Sequence, residues 1–493
     1  VALARTRSVA LVGVVGHVVE VEVDLASGLP GLTLVGLPDA SLNEARDRVR
    51  AAVLNTGEPW PKHRLTVNLS PASLPKHGSG FDLALAVGVL AASGRLRPGW
   101  VADLVLLGEL GLDGRVRPVR GVLPAVVAAA AAGLNRIVVA EGNAAEAALV
   151  PELSVLAVGS LGELVAVLRG ERAAALTAST GPAPTDQAGP DLADVAGQQP
   201  ARHALEIAAA GGHHLLLHGP PGAGKTMLAE RLPGILPALT REQALEVTAV
   251  HSVAGTLPAG RPLLERPPFR APHHTASAAS VVGGGSGIAR PGAASLAHHG
   301  VLFLDEAPEF AAGVLDSLRQ PLESGEVVLD RSRGSVRYPA RFQLVLAANP
   351  CPCGLSGVLV PGRPEACSCT PIQKMRYTGR LSGPLLDRID LVVGVTQPSR
   401  VELLDAGRHE PSAAVGERVL AARQRAEERW RGTPWACNAR VPGVELRGPR
   451  WRLPPAALAP LHDAFGQGRL TARGVDRVLR VAWTLADLAG RDQ

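Results

Sequence analysis

Leu215-Leu216-Leu217-His218-Gly219-Pro220-Pro221-Gly222-Ala223-Gly224-Lys225-Thr226 is the stretch on which the fold turns. Three leucines predict a short buried strand. Gly219 to Thr226 then fits G-x-x-x-x-G-K-[ST], a loop whose glycines let backbone N–H groups wrap a triphosphate. A helix expected to start at Met227 turns its positive end toward the same phosphates. Lys225 would neutralise the β and γ phosphates, and Thr226 would hold Mg2+. Lysine is rare here (Lys62, Lys76, Lys225 and Lys374 are all there are), so its place in the motif is not a product of composition.

Two later runs add to that loop. Residues 301–304 are apolar and end in Asp305-Glu306, the pattern of a buried parallel strand. Asp305 would hold Mg2+ through water, and Glu306 would polarise an attacking water. Residues 342–348 predict another strand, ending at Asn349. A polar residue there can orient that water, because ligands sit at the carboxyl edge of open α/β sheets. Three strand ends with three complementary groups point to ATP hydrolysis.

With 493 residues the chain has room for two to four domains. It is 46% hydrophobic and 19% charged, which makes it globular rather than disordered. A net charge of +5 allows a polyanionic partner without demanding one. No apolar run is long enough for a membrane span; the Ala-rich residues 122–133 are too few and include Pro124. The N-terminus reads as a strand rather than a leader. Five cysteines, four of them bunched, favour metal in a reducing compartment over disulfides, so the expected place is the cytoplasm.

Residues 8–37 alternate as three strands separated by Gly and Pro turns. Ser41, with Glu44 three residues later, reads as a capping box for a helix to about Asn55. Residues 64–69 predict a strand, and residues 81–93 a helix apolar nearly all round, hence buried. Further α and β signals run to about Arg169. Within this part, Ser70-Pro-Ala-Ser-Leu-Pro-Lys-His-Gly-Ser-Gly-Phe-Asp-Leu-Ala and Gly114-Arg-Val-Arg-Pro-Val-Arg-Gly-Val-Leu resemble the ribosomal-S5-like fold of the Lon protease domain. Lon-type proteases use a Ser–Lys dyad. Here Gly80 stands in the serine's place, with Ser79 one residue off, and the lysine's place falls near Ala125. Neither nucleophile nor base is in register, which implies a proteolytically inactive domain.

Residues 170–190 are rich in Pro, Gly, Ser and Thr without periodicity and read as a linker. A helix follows over residues 200–210. Between phosphate loop and acidic strand lies a long insertion, roughly residues 250–298, and loops of that length are usually functional. Its His273-His274 pair has no acid or cysteine nearby in sequence, which favours contact with a ligand or neighbouring subunit over a metal site. Residues 325–339 read as a β-hairpin with a basic tip, Arg331, Arg333 and Arg337; these are either solvated charges or a grip on nucleic-acid phosphates. Cys351, Cys353, Cys367 and Cys369 fall within nineteen consecutive positions and suit tetrahedral Zn2+. Arg388, flanked by Asp387 and Asp390, is either paired locally or aimed at a neighbouring subunit's ATP. Residues 399–493 are mostly helical; Thr471 can cap the last helix. Arg473 lies in that helix's first turn, where a cation is poorly placed for the dipole unless it meets a phosphate.

Taken together, the chain closely resembles the ComM/YifB family of magnesium-chelatase-like AAA+ ATPases. The carrying motifs are the phosphate loop, Phe269-Arg-Ala-Pro-His-His-Thr-Ala-Ser, Gly300-Val-Leu-Phe-Leu-Asp-Glu, Leu318-Arg-Gln-Pro-Leu-Glu, Asn349-Pro-Cys-Pro-Cys-Gly, Ser382-Gly-Pro-Leu-Leu-Asp-Arg-Ile-Asp and Thr471-Ala-Arg-Gly-Val-Asp-Arg. The resemblance implies an α/β multidomain chain. Its parts would be an S5/Lon-protease-like α+β domain of ChlI type (1–170), a linker (171–190), an AAA+ P-loop core with a parallel sheet (191–398) and a C-terminal helical lid (399–493). It implies ATP bound at Gly219–Met227, with Val195, Gly197 and Gln198 lining the adenine pocket. It implies a homohexameric ring in which Lys225, Thr226, Asp305, Glu306 and Asn349 act in one subunit. Arg388 would come from the next, and Arg473 would act in cis or trans. It implies branched or single-stranded DNA in the pore, as in branch-migration helicases that extend heteroduplex in natural transformation. The runner-up is a chelatase-type chaperone ATPase that remodels a protein partner.

Overall fold

Alternating apolar and polar residues at the start of the chain make two long antiparallel strands, Ala2–Val12 and Val15–Ala26, with Val19, Val21 and Val23 fully buried. The computed structural model describes residues 2–37, 39–173, 189–285, 289–331, 334–357, 367–404 and 409–491. These first strands sit in a seven-stranded mixed sheet, ordered Gly31–Val35, Arg64–Ser70, Val15–Ala26, Ala2–Val12, Leu104–Leu107, Arg136–Ala140, Ser154–Val158. The helix Asp82–Ala92 is buried at every position, as its all-round apolar sequence predicts. Its Asp82 is anchored by two hydrogen bonds from Arg48, at 2.9 and 3.1 Å.

One expectation changes here. The helix Ala40–Asn55 is capped by Asp39, whose carboxylate accepts from the Leu42 N–H at 2.8 Å, and not by Ser41 with Glu44. Asp39 has the extended backbone that an N-cap needs, and Ser41 is already inside the helix. Ala125, at the place of the Lon lysine, is buried, and neither Lys76 nor Ser79 stands in the dyad's register. Lys76 is buried and donates to the carbonyls of Leu69 and Pro71, while the Ser79 hydroxyl donates to Glu109.

A second sheet is parallel throughout, in the order Phe269–Arg270, Val301–Leu304, Gln343–Ala348, Leu215–His218, Leu391–Gly394. Numbered along the chain from the leucine strand, the order is 5-1-4-3-2. Its three central strands are buried on both faces, as their near-continuous apolar runs predict, whereas the edge strand Leu391–Gly394 leaves Val392 exposed. Leu215, Leu217, Phe303 and Val345 enter one core with the helices Gln199–Gly211 and Lys225–Ile235. Leu216, Leu302, Leu304 and Leu344 enter another, with Phe310 and Leu385.

The C-terminal helices are Ser412–Arg429, Pro455–Gly466 and Ala472–Leu488. Thr471 caps the last by accepting from the Gly474 N–H. Trp430, Trp451 and Trp483 form their core. A buried polar chain ties this part to the parallel sheet. Arg429 and Asn438 both donate to Asp487, Asn438 also donates to Thr484, and Thr484 meets His213, which pairs with Asp390 at 3.1 Å.

The N-terminal part docks on the helix Arg241–Ala254. Glu146 is buried between them, accepting from Ser252 and from the Leu123 N–H, and its pKa is raised by burial. Gly13, in the turn between the first two strands, has φ +65° and lies so close to the hairpin Glu326–Arg331/Gly334–Pro339 that a Cβ there would meet the Arg337 carbonyl at 2.7 Å. Among the described residues no helix is long and apolar enough to cross a membrane.

Candidate functional site

The parallel register brings the strand ends together. His218 pairs with Ala348, and Leu304 with Leu346, so the chain leaves all three strands at one edge. The phosphate loop, Asp305-Glu306 and Asn349 follow directly. Gly224, at φ +91°, caps the helix Lys225–Ile235, which therefore begins two residues before the expected Met227. Met227 packs against the core beneath.

Lys225 is buried, and its ammonium donates to the carbonyls of Gly219 (2.7 Å) and Pro220 (2.9 Å) and to Asn349 Oδ1 (2.9 Å). Burial lowers its pKa, opposed by Asp305 and Glu306. The Thr226 hydroxyl donates to Asp305 Oδ2 at 2.6 Å, and Asp305 Oδ1 accepts from the Glu306 N–H at 2.9 Å. A hydroxyl and a carboxylate oxygen so close together, on a loop and a strand end, are hard oxygen donors of the kind Mg2+ takes, and could hold it, Thr226 directly and Asp305 through water. Pro221 and Gly222 are exposed, and Ala223 is buried. Gln198, in the left-handed region at φ +58°, donates from its amide to the carbonyls of Ala223 and Thr396 and so holds its own segment beside the loop. Val195 is fully buried, and Gly197 packs under Glu402.

The four cysteines converge. Their sulfurs all lie within 4.8 Å of one another, with Cys351–Cys353 at 3.4 Å and Cys367 at 3.6 Å from both. Zinc thiolates of about 2.3 Å in a tetrahedron put sulfurs about 3.8 Å apart, so the set fits Zn2+. Backbone donation from Leu355, with Cys351 alongside, lowers Cys353 to about 6. The cluster abuts the nucleotide loop: Gly354 has φ +76°, and a Cβ on it would meet Pro221 Cδ at 2.4 Å.

Arg388 and Arg473 are together but elsewhere. They line one cavity of about 330 Å³ with Arg440, Arg477, Arg480 and His214. Arg388 pairs with Glu323, and Arg473 with Asp387 at 3.2 Å. His214 and Asp390 precede their strands, so this cavity is at the amino edge of the sheet, opposite the phosphate loop. On the hairpin, Arg337 is 73% exposed and 3.5 Å from Glu326. Arg331 ends its strand with its side chain undescribed, and Arg333 lies outside the described residues.

Two groupings escaped the sequence reading. His274 Nδ1 lies 3.4 Å from Glu306 Oε2, the acid that sequence distance hid. Glu246 meets His298 at 3.0 Å and His299 at 2.9 Å, and the histidines lower its pKa to about 2. The Arg341 N–H donates to His298 Nδ1, so a neutral His298 carries its proton on Nε2 and donates to Glu246; a protonated ring nitrogen is no metal ligand. This cluster pins the helix Arg241–Ala254 to the segment entering the acidic strand.

Three family descriptions match successive parts of the chain: "Subunit ChlI of Mg-chelatase" over residues 21–143, "Magnesium chelatase, subunit ChlI" over 191–403 and "Magnesium chelatase, subunit ChlI C-terminal" over 409–493. An uncharacterized protein of Mycobacterium tuberculosis is 55% identical over 490 residues, 99% of this chain and 96% of its own length. The competence protein ComM of Haemophilus influenzae is 43% identical over 496 residues (100% and 95%), and YifB of Salmonella typhimurium 43% over 501 (100% and 94%). The chain belongs to the ComM/YifB family of magnesium-chelatase-like proteins. The parallel sheet of this ComM/YifB member fits an AAA+-type ATPase of that kind. Its Lon-like likeness is partial: a Lon protease of Rhizobium meliloti is 26% identical over 163 residues, 31% of this chain.

Proposed function

We propose that the chain is an ATP-driven ring motor acting on DNA, a branch-migration helicase that extends heteroduplex during recombination or natural transformation. The observation that carries the ATPase half is the meeting of Lys225, Thr226, Asp305, Glu306 and Asn349 at one sheet edge. In this reading Lys225 neutralises charge on the transferred phosphoryl group, Glu306 takes a proton from the attacking water, and Asn349 orients it. Mg2+ held by Thr226 and Asp305 would supply charge neutralisation on the phosphate oxygens. Val195, Gly197 and Gln198 border the adenine, and the four cysteines hold a structural Zn2+ against Pro221. Residues 1–170, 191–398 and 399–493 act as three units around the linker, in the cytoplasm.

Arg388 and Arg473 both act in trans. They open at the amino edge of the strand Leu215–His218, whose four residues at about 3.3 Å each set them about 13 Å or more from their own phosphate loop. A neighbouring copy's nucleotide completes that cavity, which requires a closed ring of heterologous interfaces, here a homohexamer. DNA is supported by the exposed Arg337, the net charge of +5 and the likeness to a competence protein. A second reading, a chelatase-type chaperone that remodels a protein partner, is favoured by the magnesium-chelatase descriptions and by the N-terminal contact at Gly13 that covers part of the hairpin. ATP hydrolysis measured with and without a four-way junction separates them. Stimulation by DNA, lost in Glu306→Gln, supports the DNA motor; hydrolysis indifferent to DNA supports the chaperone.

A further inference from the structure

We propose that the turn carrying Arg450, Trp451 and Arg452 is a phosphate-gripping surface for DNA, separate from the hairpin Glu326–Arg331/Gly334–Pro339. The proposal rests on the reading of the chain as a DNA motor. Residues 409–493 hold fourteen arginines, no lysine and nine acids, so the whole net charge of +5 falls in this C-terminal part. Many of those arginines are engaged within the protein. Arg418, Arg429, Arg447 and Arg473 pair with acids, and Arg477 and Arg480 donate to backbone carbonyls. Arg450 and Arg452 are exposed, and neither has an acid or carbonyl partner among the described residues. The sequence around them, Arg447-Gly-Pro-Arg-Trp-Arg452, contains no acid at all.

The local chain is stiff. The Trp451 N–H donates to the Gly448 carbonyl at 3.2 Å and closes a turn, and Pro449, Pro454 and Pro455 fix the backbone on both sides. Trp451 is half-buried, its ring centre 4.8 Å from that of Trp430 and 6.1 Å from that of Trp483, so the indole is anchored in the helical core. Arg450 lies over it, with Cζ 4.8 Å from the ring centre. A guanidinium stacked on an aromatic face keeps the N–H donors at its edge free, and its planar fork suits phosphate oxygens. Ordering it in advance lowers the entropic cost of binding. Arg337 on the hairpin, by contrast, already faces Glu326 at 3.5 Å. Phosphate contacts hold a strand without reading its bases, which suits a motor that must pass any sequence.

The test is binding of the full chain to a fluorescently labelled four-way junction, followed by anisotropy over a range of salt concentrations. The double variant Arg450→Ala/Arg452→Ala loses two phosphate contacts in each copy that engages the DNA. The slope of log affinity against log salt should become shallower by about 1.8, and affinity near 0.1 M salt should fall by roughly tenfold or more. Arg450→Lys/Arg452→Lys keeps both charges and should keep the slope. Lys62→Ala/Arg64→Ala removes two exposed charges from the N-terminal part and should leave affinity unchanged. ATP hydrolysis without DNA should match the wild type in all three, because none of these residues lines the arginine cavity or belongs to the phosphate loop. Unaltered affinity and slope in the alanine pair overturns the surface. So does an equal loss in Lys62→Ala/Arg64→Ala, which would mean that net charge alone acts. Displacement of the junction by polyglutamate as readily as by unlabelled DNA overturns it in favour of an acidic polypeptide. A wild type that binds no junction overturns the DNA reading itself, whereas a wild type that binds beside an unaltered alanine pair removes only this surface.

Discussion

Mixing two inactive variants is the sharpest check on the trans arrangement of the arginines. Lys225→Ala removes the ammonium from the phosphate loop, and Arg388→Ala removes a guanidinium from the cavity at the opposite edge. Each alone should lose about a thousandfold in kcat, the scale of a missing arginine finger. Co-assembled one to one, the two chains meet at random. An interface is whole when its loop side comes from the Arg388→Ala chain and its arginine side from the Lys225→Ala chain. Each choice has even odds, so about one quarter of interfaces regain both groups. Hydrolysis by co-expressed, doubly tagged complexes should therefore return to about one quarter of the wild-type rate. The same fraction is expected when Arg473→Ala replaces Arg388→Ala. If either arginine served its own subunit's nucleotide, no mixed interface would be whole. Activity remaining at the level of the single variants would refute the geometry for that arginine.

Other consequences follow from the remaining contacts. Asp487→Ala strands the Arg429 guanidinium, 8% exposed, in the buried network, so it should cost about 3–5 kcal/mol and lower the thermal midpoint, while Asp487→Asn costs less. Cys353→Ser should lose bound zinc, measured by metal analysis of the purified protein, and weaken nucleotide binding because Gly354 rests on Pro221. His251 is buried, with Nε2–H donating to the Leu296 carbonyl and Nδ1 accepting from Thr256 and Arg270, and burial lowers its pKa to about 4. The unfolded chain then binds the extra proton first, so stability is lost as pH falls from about 6.5 to about 4, and His251→Gln should flatten that part of the urea-midpoint profile.

Much of the site could be read from sequence because its signals are local. The phosphate loop is contiguous, and the fold needs only to place a strand before it and a helix after it. Asp305-Glu306 and Asn349 each close an apolar run, and the cysteines need only a nineteen-residue excursion to meet. Strand order, by contrast, is set by packing of both sheet faces and has no local signature. That is why His274 and Glu306, 32 positions apart, looked unrelated, and why the edge occupied by Arg388 could not be foreseen. The Asp39 cap was missed for a smaller reason: two residues able to cap stand two positions apart, and only the extended backbone at Asp39 decides between them. Glu146 and Ser252, far apart in the chain, show the same limit at the junction of the N-terminal part with the helix Arg241–Ala254.

ATP-dependent branch migration of a synthetic four-way junction, run beside Glu306→Gln, tests the central claim most directly. The account predicts that the wild type converts the junction into its duplex products only with ATP and Mg2+, and that Glu306→Gln binds ATP without moving strands. Hydrolysis that proceeds at one rate with or without the junction, and no strand movement, would contradict it.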